Sequence, residues 1–224
     1  DEYGVLATAT VSRGRRHGES IAPAVSFVCE RAGVRLDDVH GVVADVGPGL
    51  FTGLRVGLAT AKALAFALDV PLATATSLEV LAHGAAEAQG PVGPALLVPV
   101  VDARRGEVFS ARYRVVDGAA EPDGDERLMS PEALAAELAG QHLSVLCMGD
   151  GARRYRDLLG APHVQVAGES FAAPDVAVLG RLGVARLLAG DARPAGEVTA
   201  RYLREADVRI NWEQRIPPRP AVRH

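Results

Sequence analysis

Apolar positions along the chain recur at two spacings, every second residue and every third or fourth, and the runs are cut by turns rich in glycine and proline. Gly4 to Val11 alternates and carries threonine and valine, the pattern of a strand. The stretch before it reads as a hairpin turn, so a preceding strand is expected outside this numbering. Ile21, Ala24, Val25, Val28, Cys29 and Ala32 lie on one face of a helix that opens at Ser20 and closes at Gly33, with Pro23 expected in its first turn. Gly41 to Val46 reads as a short buried strand, and Leu54 to Leu68 as the next helix. Between them lies DVGPGLFTGLRVG, with four glycines. In the Leu54–Leu68 helix only Arg55, Thr60 and Lys62 are polar, so it must be covered on both sides, by a sheet on one and by something else on the other. Leu72 to Thr76 is a strand, and Thr76 with Glu79 forms a capping box that opens a helix toward Ala88.

The order restarts at Ala95. Ala95 to Val101 reads as a strand, DARRG as a turn, and Glu107 to Val116 as the return strand. An acidic loop, Asp117 to Arg127, leads to Ser130 and Pro131, a capped helix start reaching Leu138. Leu143 to Met148 is a strand delivered into MGDGA, and Pro174 to Gly190 is a last long helix. The turns Gly47-Pro48-Gly49 and Gly149-Asp150-Gly151 hold like places in the two halves. The expected architecture is α/β, two copies of one unit over 1–94 and 95–206, followed by a proline-rich tail, 207–224.

Charge narrows the functions open to such a chain. With 24 basic and 28 acidic residues the formal net charge is −4, so the molecule as a whole has no footprint that grips nucleic acid unaided. Cys29 and Cys147 sit in apolar runs and read as small core residues in a reducing, cytoplasmic protein. No apolar run reaches about 18 residues without a charge, so no membrane span is expected, and no signal peptide is expected either.

The glycine turn between strand and helix invites a phosphate. A Walker loop needs lysine after its last glycine, and here Leu54 follows Gly53. The dinucleotide fingerprint fits better, but the spacing is GxGxxxG, and the only acid near the next strand, Asp69, lies before that strand instead of at its end. A tight turn that brings a helix close to a sheet explains the glycines equally well. No two of the six histidines are three or four residues apart, so none forms a helical metal clamp. Ser77 and Ser130 read as helix-start residues, and Ser20 lacks the flanking glycines of a nucleophile elbow. Arg104 and Arg105 read as a solvated hairpin tip, with a phosphate or partner contact as the lesser alternative.

The segment GPGLFTGLRVGLATAKALAFALDVPLATATSLEVLA, with VVDARRGEVFSARY, MGDGA and RYLREAD, resembles the TsaB family of bacterial tRNA threonylcarbamoyladenosine biosynthesis proteins. The likeness runs from His17 to about Asp207. It implies an actin, hexokinase and heat-shock-chaperone ATPase (ASKHA) fold of two related α/β halves. The catalytic relative TsaD carries a metal-binding His-x-x-x-His where this chain has Ser77 and Leu81, neither of which offers an imidazole.

The resemblance therefore implies a noncatalytic subunit with no catalytic residue, cofactor or metal site of its own, ATP and metal being bound by partner subunits. Its partners would be TsaD, the ATPase TsaE and, through the complex, tRNA, with weak homodimer formation when alone. The helix Leu54–Leu68 and the one before it would form the TsaD surface, with Val25, Val28, Arg55, Leu58, Ala61, Lys62, Ala65 and Leu68 as its residues. The helix carries two stripes, Leu58, Ala61, Ala65 and Leu68 or Val56, Ala59, Ala63 and Phe66, and the sequence leaves open which faces the sheet. The rivals are an independent ATPase or sugar-kinase-like enzyme of the same superfamily and, further off, a dinucleotide-binding oxidoreductase.

Overall fold

The computed structural model describes residues 4–11, 17–90 and 93–204. The proposed turn before Gly4 and the tail 207–224 lie outside them. Helix α1 (His17–Ala32) precedes a parallel pair of strands, β1 (Val42–Asp45) and β2 (Leu72–Ala75), paired from Val42↔Leu72 to Asp45↔Ala75. The apolar helix α2 (Phe51–Leu68) makes the crossover between them. Alternation along β1 serves two layers. Val42, Ala44 and Val46 meet Leu58, Ala61 and Ala65 of α2, and Val43 faces Gly183 of the last helix, α7 (Val176–Leu188). A Cβ on Gly183 would collide with Val43, so the glycine sets how closely α7 lies on the strand.

Helix α3 (Ser77–Gln89) follows β2 directly. Its start is fixed by the capping box, in which Glu79 N donates to Thr76 Oγ1 at 3.1 Å and Thr76 N donates back to the Glu79 carboxylate. It packs on a second, seven-stranded sheet centred on β3 (Leu96–Arg104). On one edge β3 pairs in parallel with β8 (Val145–Met148), which pairs with β9 (Val164–Val166). On the other it pairs antiparallel with β4 (Glu107–Ser110) and β5 (Tyr113–Val116), and these carry β7 (Arg127–Met129) and β6 (Ala119–Pro122). Both faces of β3 are buried. Leu97 and Ala103 lie against Leu78, Leu81, Ala82 and Ala85 of α3, while Leu96, Val98 and Val100 lie against Leu134 and Leu138 of α4 (Pro131–Ala139). Short helices α5 (Asp150–Arg154) and α6 (Arg156–Leu159) follow β8.

Four expectations from the sequence need correction. Gly4 to Val11 forms no regular strand; an extended segment becomes one only by pairing, and among the described residues no strand pairs with it. Helix α1 begins at His17, so Pro23 falls in its interior, where the chain forgoes one amide bond to the Glu19 carbonyl. The return strand is broken at Ala111 and Arg112 into β4 and β5, both still on β3. The acidic loop contains β6, because Asp117 and Gly118 take positive φ angles of 51° and 81° and turn β5 back on itself. The helix starts at Thr76 and Ser130 stand as expected.

Candidate functional site

The first glycine turn is held by a half-buried acid. Asp45, the last residue of β1, accepts the Gly47 amide at 2.8 Å and the Ser77 hydroxyl at 2.9 and 2.8 Å. The Ser77 amide in turn donates to the Gly47 carbonyl at 2.8 Å, so the turn is fastened to the start of α3. Gly47 has φ of 94° and a cis bond to Pro48, and a Cβ there would lie 2.9 Å from Leu54. Burial raises the Asp45 carboxyl above its ordinary value, and the Gly47 and Ser77 donors pull it back in part. Leu81, one turn beyond Ser77, is 3% exposed in the core between α3 and the large sheet.

The second turn is built the same way from different residues. Gly149 has φ of 106°, and Asp150 accepts the Asp102 amide at 2.9 Å. Asp102 accepts the Arg104 amide at 2.9 Å and its guanidinium at 3.0 Å, with Arg154 at 3.5 Å. Gly151 lies so close to β3 that a Cβ would come within 2.9 Å of the Asp102 amide. The two turns face each other across a cavity of about 490 Å³ whose lining, among the described residues, holds Asp45, Ser77 and Asp150 and no basic side chain. Two carboxylates already engaged by the protein's own donors make a poor surface for a bare phosphate.

Helix α2 settles which of its stripes faces inward. Leu58, Ala61 and Ala65 are buried against β1 and β2, which corrects their assignment to a partner surface. Alanines at 61 and 65 let the helix approach the sheet, a position too shallow for the ring of Phe66. Lys62 is half-buried and donates to the Val198 carbonyl at 2.8 Å, and Leu68 is half-buried. Val25 and Val28 are half-buried in α1, Val28 beside the groove formed with residues 4–8 and α7. Arg55 is exposed. The outward stripe of α2 is Ala59, Ala63, Phe66 and Ala67, with Phe66 85% exposed and Phe27 of α1 51% exposed. By length and composition α2 is apolar enough to cross a membrane, yet it carries Arg55 and Lys62 and closes the core over β1.

A second cavity, of about 660 Å³, opens beside the first turn, between the start of α2, the β3–β4 turn and Arg201–Arg204. The Arg55 Cζ lies over Phe51, 3.6 Å from the ring centroid, and its Nε donates to the Tyr202 hydroxyl at 3.1 Å. The rings of Phe51 and Tyr202 are 5.6 Å apart and both about half exposed. Arg55 makes no ion pair with a described residue, whereas Arg201 pairs with Glu126 and Arg204 with Glu107. At the cavity rim Arg104 and Arg105 have φ of 64° and 57°. The left-handed region costs a non-glycine residue about 1–2 kcal/mol, and asparagine is the residue such a turn prefers before Gly106. The sequence reading named Arg55, Arg104 and Arg105 separately but did not join them with Phe51 and Tyr202, because the members lie in three separate segments. Two adjacent arginines in a turn that favours Asn-Gly were the available signal.

Among the described residues no three His, Cys, Asp or Glu side chains converge as metal donors. His83 is held below its ordinary pKa by burial, against the charges of Glu79 and Glu87, and His163 contacts the Leu138 carbonyl at 2.9 Å. Both cysteines are free thiols, and burial pushes Cys147 up to about 12.

Residues 5–212 match the family model of TsaD, tRNA N6-adenosine threonylcarbamoyltransferase. The chain is 33% identical over 117 residues to the tRNA threonylcarbamoyladenosine biosynthesis protein TsaB of Bacillus subtilis, covering 52% of this chain and 49% of that protein. It is 30% identical over 148 residues to TsaB of Escherichia coli, covering 64% and 62%. The chain thus spans about half to three-fifths of these relatives' lengths. YeaZ from Pseudomonas aeruginosa superposes with a TM-score of 0.73 at 26% identity, over 85% of this chain and 87% of that one.

Proposed function

The chain belongs to the TsaD family and is a TsaB-type protein with an ASKHA-type α/β fold, and from that premise we propose that it is a noncatalytic subunit of tRNA N6-threonylcarbamoyladenosine synthesis, docking on TsaD. The observation that carries this reading is the outward stripe of α2. Ala59, Ala63, Phe66 and Ala67 form an apolar strip on a helix whose other face already closes the core. Alanines on such a strip admit a partner helix at close range, and Phe66 with Phe27 supplies the area that makes burial favourable. Arg55 and Lys62 flank the strip on α2. Two copies of the chain associate weakly through the same strip when the partner is absent.

The noncatalytic role is supported by where the chain has invested its polar groups. Ser77 occupies the place of a TsaD metal ligand and spends its hydroxyl on Asp45, and Leu81 is a core residue. An independent ATPase or kinase would need Asp45, Asp102 or Asp150 for a nucleotide, and each already holds intramolecular donors. In this reading TsaD and TsaE bring ATP and metal, the protein is cytoplasmic, and halves 1–94 and 95–206 act as one body in the complex. The test is capture of TsaD from its own organism by the purified chain. Binding that survives Ala63→Glu and Phe66→Glu together would overturn the reading.

A further inference from the structure

We propose that the cavity at the start of α2 is the anchor pocket of the docking surface, seating from the protein partner an apolar side chain with a carboxylate beside it. The inference rests on the docking role and adds to it the chemistry that the partner must present. Arg55 precedes Ala59 and Ala63 by one and two helical repeats, so it stands at the N-terminal end of the outward stripe of α2. A partner helix laid along that stripe needs about 16 Å to span from Phe66 to Arg55. Arg104, Arg201 and Arg204 each face a carboxylate of their own, on Asp102, Glu126 and Glu107, whereas Arg55 makes no ion pair with a described residue. Its Cζ rests over Phe51 and its Nε is engaged by Tyr202, so the terminal N–H groups are held as a fork, the geometry that a carboxylate accepts with both oxygens.

Leu50 carries the apolar half of the argument. It is the N-cap residue of α2, a position where Ser, Thr, Asp or Asn would accept an amide of the first turn, yet it makes no such bond and is 57% exposed. The chain gives up a cap and holds an isobutyl group in water at the cavity mouth. Phe51 and Tyr202 stand beside it, about half exposed, and the buried Ala103 and Phe109 line the cavity as well. Three large apolar side chains left open around one cavity, with an arginine among them, have the composition of an interface hot spot. The guanidinium selects against a purely apolar occupant, and Leu50 against a bare anion.

Two measurements on the full chain test it. In biolayer interferometry with TsaD of the same organism, Leu50→Ser and Arg55→Gln should each weaken binding about 10- to 30-fold. Leu50→Ser supplies the missing cap, so its melting temperature should equal or exceed that of the wild type, and its loss of binding reads the pocket even if Arg55→Gln folds poorly. In an NMR titration, N-acetyl-phenylalanine, which has a free carboxylate beside its ring, should shift the Tyr202 ring signals at millimolar concentration. Its amide should not, and Arg55→Gln should abolish the difference. Wild-type affinity for TsaD in Leu50→Ser overturns the proposal and leaves the docking role standing. Equal binding of the acid and the amide does the same. Inorganic phosphate binding that is lost in Arg55→Gln, with TsaD affinity unchanged in both variants, would make the cavity a small-anion site and overturn it too. A wild-type chain that binds no TsaD sinks the docking role, and the anchor with it.

Discussion

Ser77 donates its hydroxyl to both carboxylate oxygens of Asp45, at 2.9 and 2.8 Å, and thereby ties the first residue of α3 to the last residue of β1. Two elements that meet only through a turn are made rigid by one serine. Ser77→Ala removes this donor and leaves the half-buried carboxylate on the Gly47 amide alone, which should cost about 1–3 kcal/mol of stability in urea denaturation. A loss below about 0.5 kcal/mol would mean that water replaces the hydroxyl without penalty.

The same pair gives a pH signature. Burial keeps the Asp45 carboxyl above its ordinary 3.8, so in a window starting there the folded chain retains a proton that the unfolded chain has released. Stability therefore falls as pH rises through that window and levels off above the folded pKa. Asp45→Asn still accepts from Gly47 and Ser77 through its amide oxygen and has no proton to lose. Wild type minus Asp45→Asn stability should decline with rising pH above 3.8; parallel pH profiles for the two proteins would refute the assignment.

Helix α2 separates two kinds of substitution. Ala61→Glu and Ala65→Glu place an unpaired charge against β1 and β2, a penalty of several kcal/mol in a domain of about 5–15 kcal/mol total, so both should fail to fold. Ala59→Glu and Ala63→Glu face outward and should keep the wild-type melting temperature while losing TsaD. Circular dichroism melts and co-purification read the two outcomes independently.

Gly183 tests the packing of α7. Alanine would gain about 1 kcal/mol of helix propensity, but its methyl group would overlap Val43, and overpacking of this kind costs about 1–3 kcal/mol. The steric term should win, leaving Gly183→Ala net destabilised. A stabilised variant would show that α7 can slide on β1.

Thiol accessibility offers a simpler check. Cys147 is buried in the core of the large sheet with its thiol pushed up to about 12, whereas Cys29 is half-buried. One thiol should react with a disulfide reagent at pH 8 in the native protein, and the second only in denaturant. Two fast thiols would place Cys147 wrongly.

What the sequence showed depended on whether the deciding chemistry was local. Thr76 with Glu79, and Ser130 with Pro131, carry their reasons within one turn, and the helices start there. The glycine turns were legible as turns, because Gly47 and Gly149 need positive φ whatever surrounds them. The hairpin at Asp117-Gly118 was equally local, and an acidic composition masked it. By contrast, the inward stripe of α2 follows from the close approach of β1, and both stripes are apolar, so hydropathy could not rank them. The strand over 4–11 depended on a pairing partner, and the cavity around Arg55 depended on residues up to 147 positions away.

Among the described residues sheet β1–β2 has two strands, and its second face is covered by α7 and the chain just beyond it, which reach it from far along the sequence through Gly183 on Val43, Arg186 on the Thr74 carbonyl and Glu79, and the paired backbone of Leu72 and Arg193. During synthesis the ribosome releases β1, α2 and β2 before it has made their cover. Roughly 110 residues separate β2 from the end of α7, about 6–20 seconds at ordinary elongation rates. For that interval the most apolar helix of the protein stands on an unfinished sheet, so the nascent chain, more than the finished one, is the form that calls for a chaperone.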